Sequence, residues 1–235
     1  MNVSQLDFPQ LTISLTNPVS PRPQLLVTGG RAPSPQWLKT LRPHCGSLWA
    51  ADHGIDACYA AALPPDHWIG DGDSASTAAR QWMSELHIPV KPLPRDKDFT
   101  DTQIALTAMT ADLNEGLIIT GAFGGRFDHL YSTLFDCSAR AVPCFLIDEL
   151  EAVFYVKADA PLALTCHQRP KALSLIPFTR TCDGVTINNV RWTPDSTLQQ
   201  AFPNAISNEV LDQQQPVCIS ITSGILGIYL YWGQG

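Results

Sequence analysis

Trp68-Ile69-Gly70-Asp71-Gly72-Asp73-Ser74 sets a short apolar run against two aspartates held one residue apart between glycines. An apolar run of this kind reads as a buried strand, with the acidic pair at its C-terminal end. Two readings of the pair compete. Asp and Gly make ordinary turns. Carboxylate oxygens also suit a hard divalent cation, and glycines let a phosphate approach the backbone. What the neighbouring strands bring to the same place decides between them.

Upstream, 24–28 (QLLVT) reads as a strand ending in the turn Gly29-Gly30, and 35–42 as a short helix with proline at its start. A second strand, 47–51 (SLWAA), carries Asp52 at its end, and a helix over 55–63 is closed by Pro64-Pro65. Downstream come a helix over 76–86, a proline-interrupted strand over 88–93, and an amphipathic helix over 100–113 with Thr100 as N-cap. Then follow a buried strand over 117–120, the loop Gly121-Ala122-Phe123-Gly124-Gly125, a helix over about 128–140 and a strand over 144–147. Short apolar strands alternating with helices imply a parallel sheet flanked by helices, whose ligands gather at the C-terminal ends of the strands. Asp52, Asp71, Asp73 and the Gly124-Gly125 loop therefore share one edge.

From about 151 the rhythm changes. Residues 153–157, 162–167, 172–177, 185–192 and 217–231 are strand-like, no stretch reads as a long helix, and Thr222-Ser223-Gly224 reads as the turn of a terminal hairpin. The expected organisation is an N-terminal extension (1–23, a tail or edge segment), an α/β domain (24–150) and an all-β sandwich or barrel (151–235).

Composition narrows the function. The 235 residues are 45% hydrophobic and 16% charged with a net charge of -7, an ordinary folded chain whose acidity argues against a nucleic-acid partner. Basic residues never cluster, and no apolar run nears the roughly 20 residues that span a bilayer. Residues 1–23 lack the basic and apolar regions of a secretory signal. Seven cysteines without a CxxC pair read as reduced thiols, mostly small core hydrophobes, in a cytoplasmic protein. Asp outnumbers Glu by 17 to 5, and eight aspartates (52, 56, 66, 71, 73, 96, 98 and 101) fall within fifty residues. Short, stiff carboxylates in loops suit metal binding.

Four groups carry chemistry: Ala51-Asp52-His53-Gly54, Gly70-Asp71-Gly72-Asp73-Ser74, Lys97-Asp98-Phe99-Thr100-Asp101 and Gly124-Gly125-Arg126-Phe127-Asp128-His129. The third presents Lys and Asp where a helix begins and its exposed N–H groups favour a phosphate. The fourth sets a backbone nest beside a guanidinium able to grip phosphate oxygens bidentately. Together they meet the needs of phosphoryl-type transfer. Neither a Walker A sequence nor a kinase-type glycine loop is present.

With these motifs the chain resembles the thiamine pyrophosphokinase (thiamin diphosphokinase) family. Against the family's ADGGAN, GDFDS, KDxTDxExAL, GGRxDH, SLIP, SNE and SGxL stand ADHGID (51–56), GDGDS (70–74), KDFTDTQIAL (97–106), GGRFDH (124–129), SLIPF (174–178), SNE (207–209) and SGIL (223–226). The order and spacing match from about residue 24 to the end. The resemblance implies transfer of the diphosphate of ATP to the hydroxyl of thiamine, with AMP released. It also implies an α/β domain followed by a β-sandwich, in a homodimer with thiamine bound between subunits. Carried over by motif, Asp71, Asp73 and Asp101 would ligate Mg²⁺, with Asp52 in or next to that shell, and Asp71, Asp73, Asp101 and Arg126 would form the catalytic set. Arg126, Asp128, Gly124 and Gly125 would face ATP, Lys97 and Thr100 would lie along its phosphates, and Ser207 and Asn208 would line the thiamine pocket.

The chain departs from the pattern at four places. His53 stands for a glycine, Ile55-Asp56 for Ala-Asn, Gly72 for an aromatic residue and Gln103 for a glutamate. These changes touch turn geometry and the acceptor pocket more than the carboxylates. Two other readings fit the motifs: a diphosphokinase for another hydroxyalkyl heterocycle such as a pterin, and a non-catalytic nucleotide-binding relative.

Overall fold

The computed structural model describes residues 4–70, 75–92, 99–109, 115–202 and 204–233. Asp71, Asp73, Gly72, Lys97 and Asp98 lie outside the described residues. In chain order the strands and helices are β1 (Ser4–Asp7), β2 (Leu11–Leu15), β3 (Gln24–Val27), α1 (Pro35–Leu41), β4 (Leu48–Ala51), α2 (Gly54–Ala60), β5 (His67–Gly70), α3 (Thr77–Glu85) and β6 (Val90–Pro92). They continue with α4 (Asp101–Met109), β7 (Leu117–Thr120), α5 (Phe127–Ala139), β8 (Cys144–Ile147), β9 (Glu151–Lys157), β10 (Leu162–Cys166) and β11 (Ala172–Pro177). The last are β12 (Thr181–Asp183), β13 (Thr186–Ile187), β14 (Thr197–Gln199), β15 (Val217–Ser220) and β16 (Ile225–Tyr231). The chain divides into two compact units, Arg22–Asp148 and Met1–Pro21 with Glu149–Gly235.

In the first unit the strand order is β8-β7-β3-β4-β5-β6, and each pairing is parallel. All four residues of β7 and of β8 are buried, as expected of strands covered on both faces. Local chemistry starts the helices. Ser34 accepts a hydrogen bond from Trp37 N ahead of Pro35, and Ser76 does the same for Ala79 N.

At α4, Thr100 Oγ1 accepts from Gln103 N at 3.2 Å while Gln103 Oε1 accepts from Thr100 N at 3.0 Å. This is a capping box, which glutamine completes as well as glutamate. The departure at Gln103 therefore keeps the local structure. Gln103→Ala is expected to cost about 1 kcal/mol and to lower the melting temperature by roughly 2–4 °C, with Gln103→Glu close to wild type. Thermal unfolding followed by circular dichroism checks both.

The second unit has no helix among the described residues. Its antiparallel pairings run β1-β2-β10-β15-β13 in one sheet and β9-β16-β11 in another set, with β12 and β14 forming a short ribbon. In register, Leu162 faces Leu15 and Ile219, and Leu164 faces Ile13 and Val217, which makes one continuous apolar face. The chain as a whole mixes parallel and antiparallel pairing.

Three expectations need correction. Residues 4–15 are no tail or extension, and of the two readings the edge segment holds for β1, which takes the edge of a sheet, while β2 pairs along its whole length with β10, burying Leu11, Ile13 and Leu15. Residues 217–231 form no hairpin, because β15 pairs with β10 and β13 whereas β16 pairs with β9 and β11. Thr222-Ser223-Gly224 instead carries the chain from one sheet to the other. It is fastened by Thr222 N to Asp183 O at 2.8 Å and Ser223 Oγ to Asp183 Oδ2 at 3.0 Å, with Gly224 at φ +92°. Of 185–192, only Thr186–Ile187 is strand.

Candidate active site

The C-terminal ends of β3, β4, β5 and β7 form the edge on which the sequence placed the site. Two loops there interlock through glycines. Gly30 N donates to Gly121 O and Arg31 N to Phe123 O, both at 2.6 Å. A Cβ on Gly30 would stand 2.5 Å from Gly121 O and 2.6 Å from Phe123 O, and one on Gly125 would stand 2.9 Å from Gly30 Cα. The loops after β3 and β7 thus approach closer than any side chain allows.

A cavity of about 190 Å³ opens above them, lined by Thr28, Gly29, Gly30, Asp52, His53, Thr102, Gly121, Ala122, Gly125, Arg126, His129 and Thr133. Asp52 follows β4 in the left-handed region at φ +50°. Its backbone is held by Asp52 N to Ile69 O at 2.9 Å and by Trp68 Nε1 to Asp52 O at 3.1 Å. Asp52 Oδ1 lies 3.2 Å from where a Gly70 Cβ would be, so this carboxylate stands against the C-terminal end of β5. Asp101, in the first turn of α4, is buried, and α4 packs against β3, β4 and β5.

The motif departures at His53 and Asp56 meet each other: His53 Nδ1 lies 3.2 Å from Asp56 Oδ2. Asp56 Oδ2 also accepts Ser76 N at 3.2 Å, which ties the start of α2 to the start of α3.

Arg126 and Asp128 stand exposed at the start of α5 in a fork-to-carboxylate pair, Nε to Oδ1 at 3.1 Å and Nη2 to Oδ2 at 2.5 Å. The hydrogen bond from Arg126 holds the Asp128 carboxyl below its ordinary range, and the same bond raises Arg126. Both groups are charged at neutral pH, and the guanidinium grips the carboxylate with the forked geometry that it would offer a phosphate. Gly124, at φ +68°, lets the loop turn beneath them.

Ser207 and Asn208 belong to the other unit. They line a cavity of about 330 Å³ with Trp192, Thr193, Pro194, Asn204, Ala205 and Ile206. Asn208 is buried and engages Trp192: Oδ1 accepts Trp192 N at 3.0 Å and Nδ2 donates to Trp192 O at 2.6 Å. Oδ1 also accepts Glu209 N at 2.9 Å. Asn208 thus fixes the backbone of Trp192, whose indole is half exposed with the Arg191 guanidinium 5.0 Å from its ring centroid. Sequence reading missed Trp192, since a tryptophan outside every quoted motif carries no signal of its own. It also missed Arg31, whose partner lies 117 residues away.

Carboxylates, a guanidinium and close-packed glycine loops on one parallel-sheet edge define a phosphate-handling domain, here in a chain with a separate all-β unit. The family model for the thiamin pyrophosphokinase catalytic domain matches residues 38–142, and that for the thiamin pyrophosphokinase vitamin B1 binding domain matches residues 163–226. The chain belongs to the thiamin pyrophosphokinase family. Among solved structures, the thiamine pyrophosphokinase from Bacillus subtilis is 20% identical, with a TM-score of 0.79 over 91% of this chain and 100% of that one. The enzyme from Candida albicans (13% identity, TM-score 0.74, 89% of each chain) and that from yeast (13%, 0.67, 92% and 88%) share the fold. No curated protein sequence matches the chain.

Proposed function

We infer that the chain is a thiamine diphosphokinase: the hydroxyl oxygen of thiamine attacks the β-phosphorus of ATP, the bond from that phosphorus to the α-phosphate bridge breaks, and AMP leaves as the hydroxyl gives up its proton. The carrying observation is that a family catalytic domain and a family vitamin B1 binding domain follow one another in this chain. In the first of these, Asp52, the interlocked glycines and Arg126 line one cavity.

We propose that ATP lies along that edge. The Gly124-Gly125 loop and Arg126 would face its phosphates, with Asp128 releasing the Arg126 fork as the nucleotide enters. Lys97 and Thr100 are proposed along the phosphate path. Arg126→Lys is expected to lower kcat/KM for ATP at least about tenfold, since a point charge cannot replace a planar fork. Steady-state kinetics with ATP as the varied substrate checks this.

Mg²⁺ is proposed on Asp71, Asp73 and Asp101, with Asp52 in or beside that shell. The donor chemistry suits it, because hard carboxylate oxygens are available at Asp52, which follows β4, and at Asp101, in the first turn of the helix that packs on β4 and β5. Bound there, the ion would neutralise charge on the transferring phosphates.

Thiamine is proposed to occupy the cavity beside Ser207 and Trp192. A β-sandwich second domain, a homodimer with thiamine between subunits, and a cytoplasmic location complete the reading. Six of the seven free cysteines are buried, and burial pushes the thiols of Cys45 and Cys58 up to about 12, which suits inert reduced groups. No helix among the described residues is long and apolar enough to cross a membrane.

The test is release of AMP from ATP and Mg²⁺ with thiamine, a hydroxymethyl pterin, or neither as acceptor. Thiamine-dependent AMP supports the reading, pterin-dependent AMP replaces the acceptor, and ATP binding without AMP in any arm overturns catalysis.

A further inference from the structure

Asp148 is a fully buried carboxylate that the transfer chemistry does not use, and Arg31 belongs to none of the motifs. The two are joined across the site edge. Strands β8, β7 and β3 lie side by side in that order, with Asp148 just after β8, the glycine loop after β7 and Arg31 after β3. Arg31 reaches over the middle one. Its backbone N donates to Phe123 O at 2.6 Å, its stem runs against Gly124, and its Nε and Nη2 donate to Asp148 Oδ2 at 3.1 and 2.6 Å. A Cβ on Gly124 would lie 2.8 Å from Arg31 Cβ and 3.1 Å from Nη1, so the loop and the side chain are shaped to each other.

We propose that Arg31, anchored by Asp148, is a positioning residue that straps down the Gly124-Gly125-Arg126 loop in its nucleotide-binding form. This rests on the nucleotide reading above. A glycine-rich loop has much conformational freedom to lose, and ordering it at the moment of binding weakens affinity. The strap meets that cost during folding. A contribution to fold stability and a hold on the loop make different demands on this partly buried pair, in which the Arg31 side chain is 32% exposed and that of Asp148 1%.

That contrast supplies the test. ATP affinity is measured by calorimetry without acceptor, alongside melting temperature and the KM values for ATP and thiamine, in wild type, Arg31→Met and the double variant Arg31→Met/Asp148→Leu. Arg31→Met removes the guanidinium from the buried Asp148 carboxylate, and the double variant removes both charges, so the latter carries the test if the former fails to fold. The expected result is at least about tenfold weaker ATP binding and a matching rise in KM for ATP in both variants. KM for thiamine should stay within about twofold, and the double variant should regain melting temperature but not ATP affinity. Wild-type ATP affinity in Arg31→Met, or its return together with melting temperature in the double variant, makes the pair purely structural and overturns the proposal. A wild-type protein that binds no ATP overturns the nucleotide reading itself, and the strap with it, a result visible before any variant is compared.

Discussion

Asp101→Asn is expected to lower kcat by about 10³-fold while the protein stays folded. Asparagine keeps the size of the side chain and one carbonyl acceptor but removes the charge. Asp101 sits buried in the first turn of α4, where a carboxylate also complements the helix dipole. Losing that complement costs only about 0.3–1 kcal/mol of stability. The loss in rate has a different source. If Asp101 helps to hold the divalent ion that offsets charge on the transferring phosphates, its removal withdraws electrostatic stabilisation of the kind worth about 3–4 kcal/mol elsewhere, which is two to three powers of ten. AMP release measured over a Mg²⁺ titration checks the rate. Calorimetric titration of the variant with Mg²⁺ and ATP reads the ion directly. Activity within tenfold of wild type at ordinary Mg²⁺ would remove Asp101 from the ligand set.

The βα repeats were legible because each strand is a short apolar run closed by glycine, proline or aspartate, and α1, α3 and α4 each start at a side-chain cap. The sequence placed strands at 24–28, 47–51 and 117–120, and they stand at Gln24–Val27, Leu48–Ala51 and Leu117–Thr120. Asp52 and the glycine loop meet at one edge for the same reason, since parallel connection places every strand's C-terminal end on one side. What was not legible is pairing at long range. The alternation Leu11, Ile13, Leu15 is a strand signal, yet nothing local says that its partner is Leu162–Cys166. Thr222-Ser223-Gly224 announces a reversal of direction, but a turn does not specify whether the chain returns to the same sheet. The Arg31–Asp148 pair has no periodicity at all.

The departures from the family pattern look different once their neighbours are known. Gln103 completes the same capping box that glutamate would. His53 and Asp56 replace glycine and asparagine as a contacting pair, and Asp56 adds a bond to Ser76 N. These are local exchanges that keep the loops where they are. His53 nonetheless lines the same cavity as Asp52, so this exchange, unlike the one at Gln103, changes the cavity wall.

Gly54 is the position in this region that tolerates least. It opens α2, directly after the Asp52-His53 turn, and its Cα faces β3 so closely that a Cβ would stand 2.1 Å from Val27 O and 2.6 Å from Val27 C. Its φ is not in the left-handed region, so strain of the backbone is not the issue, and by helix propensity alone alanine would gain up to about 1 kcal/mol. The contact decides the sign. Val27 O is backbone in the middle of a parallel sheet and cannot rotate aside, so α2 must move off the sheet, opening the contacts of Ile55 and Cys58, both fully buried. Overpacking of this kind costs about 3 kcal/mol or more, and Gly54→Ala is expected to melt roughly 6–12 °C below wild type. Because Asp52 and His53 lead straight into the displaced helix, turnover should fall as well, by a larger factor than the loss of folded protein explains at 25 °C. Differential scanning calorimetry and AMP release on the same preparation separate the two effects. An unchanged melting temperature would mean that α2 does not pack on β3 as described.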